Sequence, residues 1–158
     1  MKALTLWPEW AYAILKLGKR VENRGWLPPR GLTEFAIHAG KHIGGNGRDP
    51  EGDIGIMLQV ASDAGFRWHG KSLGELGYHN YLGLLRQTHA EIDAMRSSVV
   101  CVVRLVNVLP KRPQNFVGWH APDSFGWVLD DMRPAVERLV CRGAQGLWSV
   151  PSPLVVTP

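Results

Sequence analysis

Hydrophobic and polar positions along this chain switch between a helical and a strand period. From residue 8 onward, Trp10, Ala13, Ile14 and Leu17 recur at i, i+3, i+4 and i+7, one stripe of a helix. Pro8 suits a first helical turn, where a missing N–H costs no bond, and Gly18 supplies a left-handed stop. A helix is therefore predicted over 8–17, with a short strand before it at 3–6. Beyond Gly18 the period falls to two: Val21 and Asn23 point one way, Arg20, Glu22 and Arg24 the other. The next strand is expected to rest on Val21. LPPRG at 27–31 reads as a turn, and EFAIHAG at 34–40 as a strand with Phe35 and Ile37 opposite His38.

Further on, Ile54, Met57, Leu58 and Ala61 return to helical spacing, and a second helix is expected from about 81 to 95 with Leu85, Thr88, Ile92 and Met95 inward. The run VVCVVRLVNVL at 99–109 is too continuously apolar for an exposed edge strand. FGWVLDD from Phe125 is a further strand, and ERLVC leads into a closing strand and turn, CRGAQGLWSVP. No βαβ alternation and no repeat is present. The pattern predicts an α+β fold: one domain over 1–158, a small, mostly antiparallel β-barrel with flanking helices, and a helical insertion at 49–97 placed to act as a lid.

Composition narrows the setting more than the chemistry. The 158 residues are 45% apolar with a net charge of +4. No run approaches the ~20 apolar residues of a membrane span, and the opening MKALTLWPEW lacks a signal peptide's long apolar centre. The two cysteines, Cys101 and Cys141, lie far apart in apolar surroundings, which fits reduced thiols and a cytoplasmic location better than a disulfide framework. Charge is uneven. Residues 16–30 carry Lys16, Lys19, Arg20, Arg24 and Arg30 against Glu22 alone, whereas 51–96 are net acidic. Positive charge gathered beside tryptophans is the footprint sought in nucleic-acid binders.

GKRVENRGW, residues 18–26, concentrates the candidate chemistry. A lysine works as a base only when its pKa is lowered. Arg20 and Arg24 push Lys19 that way, and Glu22 pushes back. The same set serves binding: Arg24 offers a planar fork, Glu22 accepts from an amine, and Trp26 offers a stacking face. The plain alternative is a solvated hairpin whose charges pair at the surface. Trp10 and Trp148 read as core, while Trp26, Trp68 and Trp119 stand in loop-like contexts suited to stacking. His38 and His42 span a strand end without a Cys or acidic partner in register, so no metal set is read. Arg104 is either a buried partner for an acid or a cleft cation. Gly44, Gly45 and Gly47 lack a following Lys-Ser/Thr, so neither a phosphate loop nor a nucleotide cofactor is inferred.

The run LTLWPEWAYAILKLGKRVENRGWLPPRG, followed by FAIHAGK, resembles the ASCH (activating-signal-cointegrator homology) domain of the PUA-like superfamily. Trp10, Lys19, Glu22, Arg24, Trp26, Arg30, Gly31, Ile37, His38 and Ala39 fill the positions of that motif, over roughly 3–43, and the strands within 98–150 are also similar. Two positions depart: Glu9 stands where an amide is common, and Leu17 where a glycine is usual. The resemblance implies a pseudobarrel whose cleft carries Lys19, Glu22 and Arg24 on its floor, in a superfamily whose members bind RNA, DNA or modified bases. Some small members resemble amidohydrolases acting on N4-acetylcytidine through a lysine, a threonine three residues later and a downstream glutamate, and one relative is described as a ribonuclease. Here Lys19 matches, Glu22 occupies the threonine position, and the loop at 110–124 offers only Asp123.

Three readings follow. The first is a nucleic-acid-binding domain for single-stranded RNA or a modified base, using Lys19, Arg20, Glu22, Arg24, Trp26, Arg30 and His38. The second is a hydrolase of acylated cytidine or of RNA, with Lys19 as base and Glu22 or Asp123 orienting water. The third is a protein-interaction module built on 49–97. None invokes a membrane.

Overall fold

The first helix forms where its stripe and stop signals place it, as α1 (Pro8–Lys16) between β1 (Lys2–Leu6) and β2 (Val21–Arg24). The computed structural model describes residues 1–44, 48–111 and 114–157; Gly45 and Gly47 of the glycine-rich loop lie outside them. Gly18 takes φ +71°, and Leu17 N–H and Lys19 N–H both donate to Ala13 O at 3.0 Å. This wrap closes the helix and turns the chain back. β3 (Glu34–Ala39), α2 (Pro50–Asp63), a 3-10 turn (Leu73–Glu75), α3 (Tyr78–Met95), β4 (Ser98–Leu109), β5 (Phe125–Val140) and β6 (Leu147–Ser149) follow.

The described strands make one six-stranded sheet in the order β2-β5-β4-β3-β1-β6. β1 and β3 run parallel, and every other pair is antiparallel. The expected α+β class with a mostly antiparallel sheet is therefore present, but the sheet does not close into a barrel: β2 and β6 remain as edges. It curls nonetheless. Register shifts interrupt β4 against β5 in three places, and such bulges bend a strand and increase its twist. They also carry β5 through Pro134, so that FGWVLDD and the ERLV of ERLVC form one strand that stops before Cys141. Asp131 takes φ +48° at the bend.

Both faces of the central strands are covered. Phe35, Ile37, Cys101 and Val103 face the main core with α1, while Ala3, Ala36, Val99 and Val102 face a smaller cluster capped by Trp148, Leu154 and Val156. The 49–97 segment belongs to the main core. Its predicted stripes are buried, Ile54, Met57, Leu58 and Ala61 on α2 and Leu85, Thr88, Ile92 and Met95 on α3. Tyr12 on α1 donates to Glu91 Oε2 on α3 at 2.9 Å. The segment thus packs as a layer against α1. No helix among the described residues is long and apolar enough to cross a membrane.

Arg104 is neither a buried partner nor a cleft cation. It lies on the exposed half of β4, paired with Asp131 at 2.6 Å. Cys101 is buried as expected, whereas Cys141 is only partly so.

Candidate functional site

The site lies where the curled sheet fails to close. Edge strand β2 comes near β1, from which three strands separate it in sheet order, and Arg24 Nη2 spans the seam to donate to Thr5 O at 3.2 Å. α1 links the same two strands. Between them opens a cavity of about 350 Å³ lined by Thr5, Leu6, Trp7, Trp10, Lys19, Glu22, Asn23, Arg24, Val60, Phe116, Trp119 and Ala121. That volume lies at the small end of ligand pockets, roughly 300–1,000 Å³.

Lys19, Glu22 and Arg24 share its floor. The helix wrap that uses the Lys19 backbone N–H sends the side chain inward at the C-terminal end of α1, where the helix dipole favours a cation. Lys19 is 2% exposed and Glu22 6%. Lys19 Nζ donates to Val21 O and to Glu22 Oε2 at 2.6 Å. Arg24 Nε lies 3.1 Å from Glu22 Oε1, but its N–H makes no hydrogen bond, so that contact is Coulombic. One carboxylate therefore sits between two cations. Burial pushes the Lys19 ammonium below the usual lysine range; Glu22 opposes the shift and Arg24 adds to it. A desolvated, specifically partnered lysine in a cleft is a functional-site signal.

Aromatic side chains make the walls: Trp7 and Trp10 from the start of α1, Phe116 and Trp119 from the loop before β5. Asn23 holds that loop to β2. Its Nδ2 donates to Trp119 O at 2.9 Å, and its Oδ1 accepts from Ala121 N–H at 2.8 Å. His120 braces the loop through Ser124 O at 2.8 Å.

The sequence-derived candidates divide. Lys19, Glu22, Arg24 and Trp119 converge on the cavity. Trp26 and His38 instead line a second, neighbouring hollow. Trp26 is 37% exposed, edge-on to Trp127. His38 Nε2 donates to Cys141 O at 3.0 Å, and burial holds its pKa down. Arg20 and Arg30 are exposed and line neither hollow. Arg20 precedes β2, and its carbonyl accepts from Leu129 N–H of β5. Asp123 is 88% exposed at the side chain, 3.8 Å from Lys111, and does not reach the cavity. Trp68 packs edge-on against Phe66 and is not part of the site. The strand rests on Glu22, not Val21, because Glu22 is the buried residue of β2. Trp10, expected in the core, is half-buried and forms cavity wall. Trp7, Asn23 and Phe116 were missed. Trp7 and Trp10 stand three apart across the first helical turn, a spacing that puts two rings on one face.

Glu9 is not among the residues that line the cavity. It is 1% exposed; Oε1 accepts from Gly44 N–H at 2.9 Å, and Oε2 has no hydrogen-bond partner. Burial raises its pKa above the usual carboxyl value, with Asp53 contributing. A raised folded pKa stabilises the fold fully below the unfolded value of 4.5, and that stabilisation is lost as pH rises through the folded value. Glu9→Gln, which mimics the protonated form, is therefore expected to denature at higher urea concentration than wild type at pH 8. The two should converge as pH approaches 4.5. A constant difference across the pH range would refute this.

Among the described residues no three His, Cys, Asp or Glu side chains gather to hold a metal ion. Compared with models of protein families and with curated proteins, the chain gave no match.

Proposed function

We propose that this protein is an ASCH-type, PUA-like domain that binds single-stranded nucleic acid by taking one base into the aromatic cavity. The observation that carries this reading is the pairing of buried Lys19, Glu22 and Arg24 with walls of Trp7, Trp10, Phe116 and Trp119 around one hollow. Flat aromatic walls accept a base by stacking, at about 1–3 kcal/mol per base. The floor is rich in donors. Lys19 has a third N–H beyond its two bonds, and Arg24 commits only Nη2 to the backbone. Such a floor suits a ring edge carrying carbonyl oxygens. The curled sheet with one unclosed seam is compatible with a pseudobarrel.

The test is binding of short single-stranded RNA and DNA to wild type and to Arg24→Ala over a salt series. Arg24→Ala should weaken binding by about 1–3 kcal/mol and make the salt dependence shallower by about one unit. Binding that is absent, or insensitive to salt in both proteins, removes the reading.

The lowered pKa of Lys19 supports a second reading, hydrolysis of an N4-acylated cytidine with the lysine as base. Glu22 hydrogen-bonded to Nζ works against a neutral amine. Release of acyl group by wild type but not by Lys19→Ala would favour this reading over binding alone.

A further inference from the structure

The cavity does not end at Arg24. Thr5, Leu6, Trp7 and Arg24 also line the second hollow, which measures about 1070 Å³, so a ligand seated in the first continues directly into the second. The character changes at that junction. The cavity is aromatic with a carboxylate on its floor, whereas the hollow carries Arg24, Lys41, His42 and Arg142 and no Asp or Glu among its lining residues. Lys41 and Arg142 are exposed, and neither side chain has an ion-pair partner among the described residues. Elsewhere on the sheet, Arg104 and Arg133 are spent on Asp131 and Glu34.

One wall is the loop after β5, and glycine lets it lie close. A Cβ on Gly143 would stand 2.5 Å from Thr5 Oγ1 and 2.6 Å from the His38 ring, which no side chain could tolerate without displacing the loop. Thr5 Oγ1 accepts from Trp148 Nε1 at 3.0 Å, and His38 is bonded to Cys141 O. The loop that presents Arg142 is thereby anchored to β1 and β3.

We propose, resting on the base-binding reading above, that the second hollow is the phosphate track of the bound strand. One base fills the aromatic cavity, Arg24 stands at the junction, and the flanking phosphates run along the second hollow against Lys41, His42 and Arg142. An anionic backbone there gains cations without meeting a carboxylate. The cavity alone is sized for a single ring system, while the hollow holds about three times that volume.

The experiment compares wild type with the double variant Lys41→Glu/Arg142→Glu, using fluorescently labelled ten-nucleotide RNA and DNA strands and, separately, cytidine and N4-acetylcytidine. The double variant should bind the strands at least about tenfold more weakly, with a salt dependence shallower by about 1.4 units, since two phosphate contacts on a single strand are lost. Nucleoside affinity should fall far less. The RNA and DNA arms identify the sugar of the strand. Equal strand affinity for the two proteins overturns this proposal while leaving the base cavity standing. No strand binding by wild type removes this proposal and the single-stranded reading together, whether or not the nucleosides bind. Unchanged thermal melting shows the variant folded; if it does not fold, Lys41→Gln/Arg142→Gln gives the same comparison with about half the expected charge effect.

Discussion

Glu22→Ala is expected to destabilise the protein by about 3–5 kcal/mol, read as a lower urea midpoint at pH 7. The reason is geometric. Glu22 Oε2 accepts from Lys19 Nζ at 2.6 Å, and Oε1 lies beside Arg24. Removing the carboxylate leaves Lys19, 2% exposed, as a buried cation with only a backbone carbonyl and an adjacent guanidinium for company. The variant can relieve that cost by releasing a proton from Lys19. Between the further-lowered folded pKa and the ordinary lysine value of 10.5, the unfolded chain then binds more protons than the folded one. Stability must rise with pH across that window, more steeply than in wild type. Lys19→Met combined with Glu22→Leu should recover most of the lost stability, because a buried pair can often be replaced by apolar groups of similar volume at little cost. The recovered protein should fold without binding nucleic acid. A Glu22→Ala midpoint within experimental error of wild type would show that the three groups do not act as one buried unit.

Trp127→Ala should cost a similar amount, about 3–5 kcal/mol, for a different reason. Trp127 is fully buried and stands opposite Glu22 in the β2–β5 register, so the two share a face of the sheet. Its ring meets Trp26 at 4.8 Å and Phe35 at 5.8 Å, both edge-on, and its Nε1 donates to Trp26 O at 3.2 Å. Alanine leaves a cavity beside the site floor and an unanswered carbonyl at the turn after Arg24. The two variants differ in pH response. The loss in Trp127→Ala should be flat across the window in which Glu22→Ala recovers, because no titrating group is unpaired. Trp127→Phe should lose less, retaining ring contact but not the hydrogen bond. A Trp127→Ala loss that shrinks as pH rises would mean the ring acts chiefly by shielding Lys19.

These effects meet in a site whose parts differ in how far they could be read in advance. The stripe and stop signals of α1, the inward sets on α2 and α3, and the buried run of β4 depend on neighbours within a few residues, so their periodicity is visible in the chain. Lys19, Glu22 and Arg24 were legible as a group because they sit within six positions, just past a glycine that reverses the chain. Trp119 was legible only as a ring in a loop. Val21, being apolar, reads as the inner residue of β2. Yet which face of a strand is inside is decided by its partner. β2 pairs with β5, about a hundred residues later, and that pairing puts Glu22 beside Trp127. Arg104 is ambiguous in the sequence for the same reason: the apolar run around it does not reveal that β4 leaves the core halfway along.

By itself, the sequence determined the α+β class, most element positions and the local charge of the 16–30 segment, since backbone preference and amphipathic period act over short distances. Only the tertiary structure decided that the sheet would curl without closing, and that Arg24 would span the seam to Thr5. It also decided that Trp7, Trp10, Phe116 and Trp119 would wall one cavity, and that Arg20 and Arg30 would stay outside it. Those outcomes depend on bulges, register and contacts between residues far apart in the chain, which no local pattern of side chains encodes.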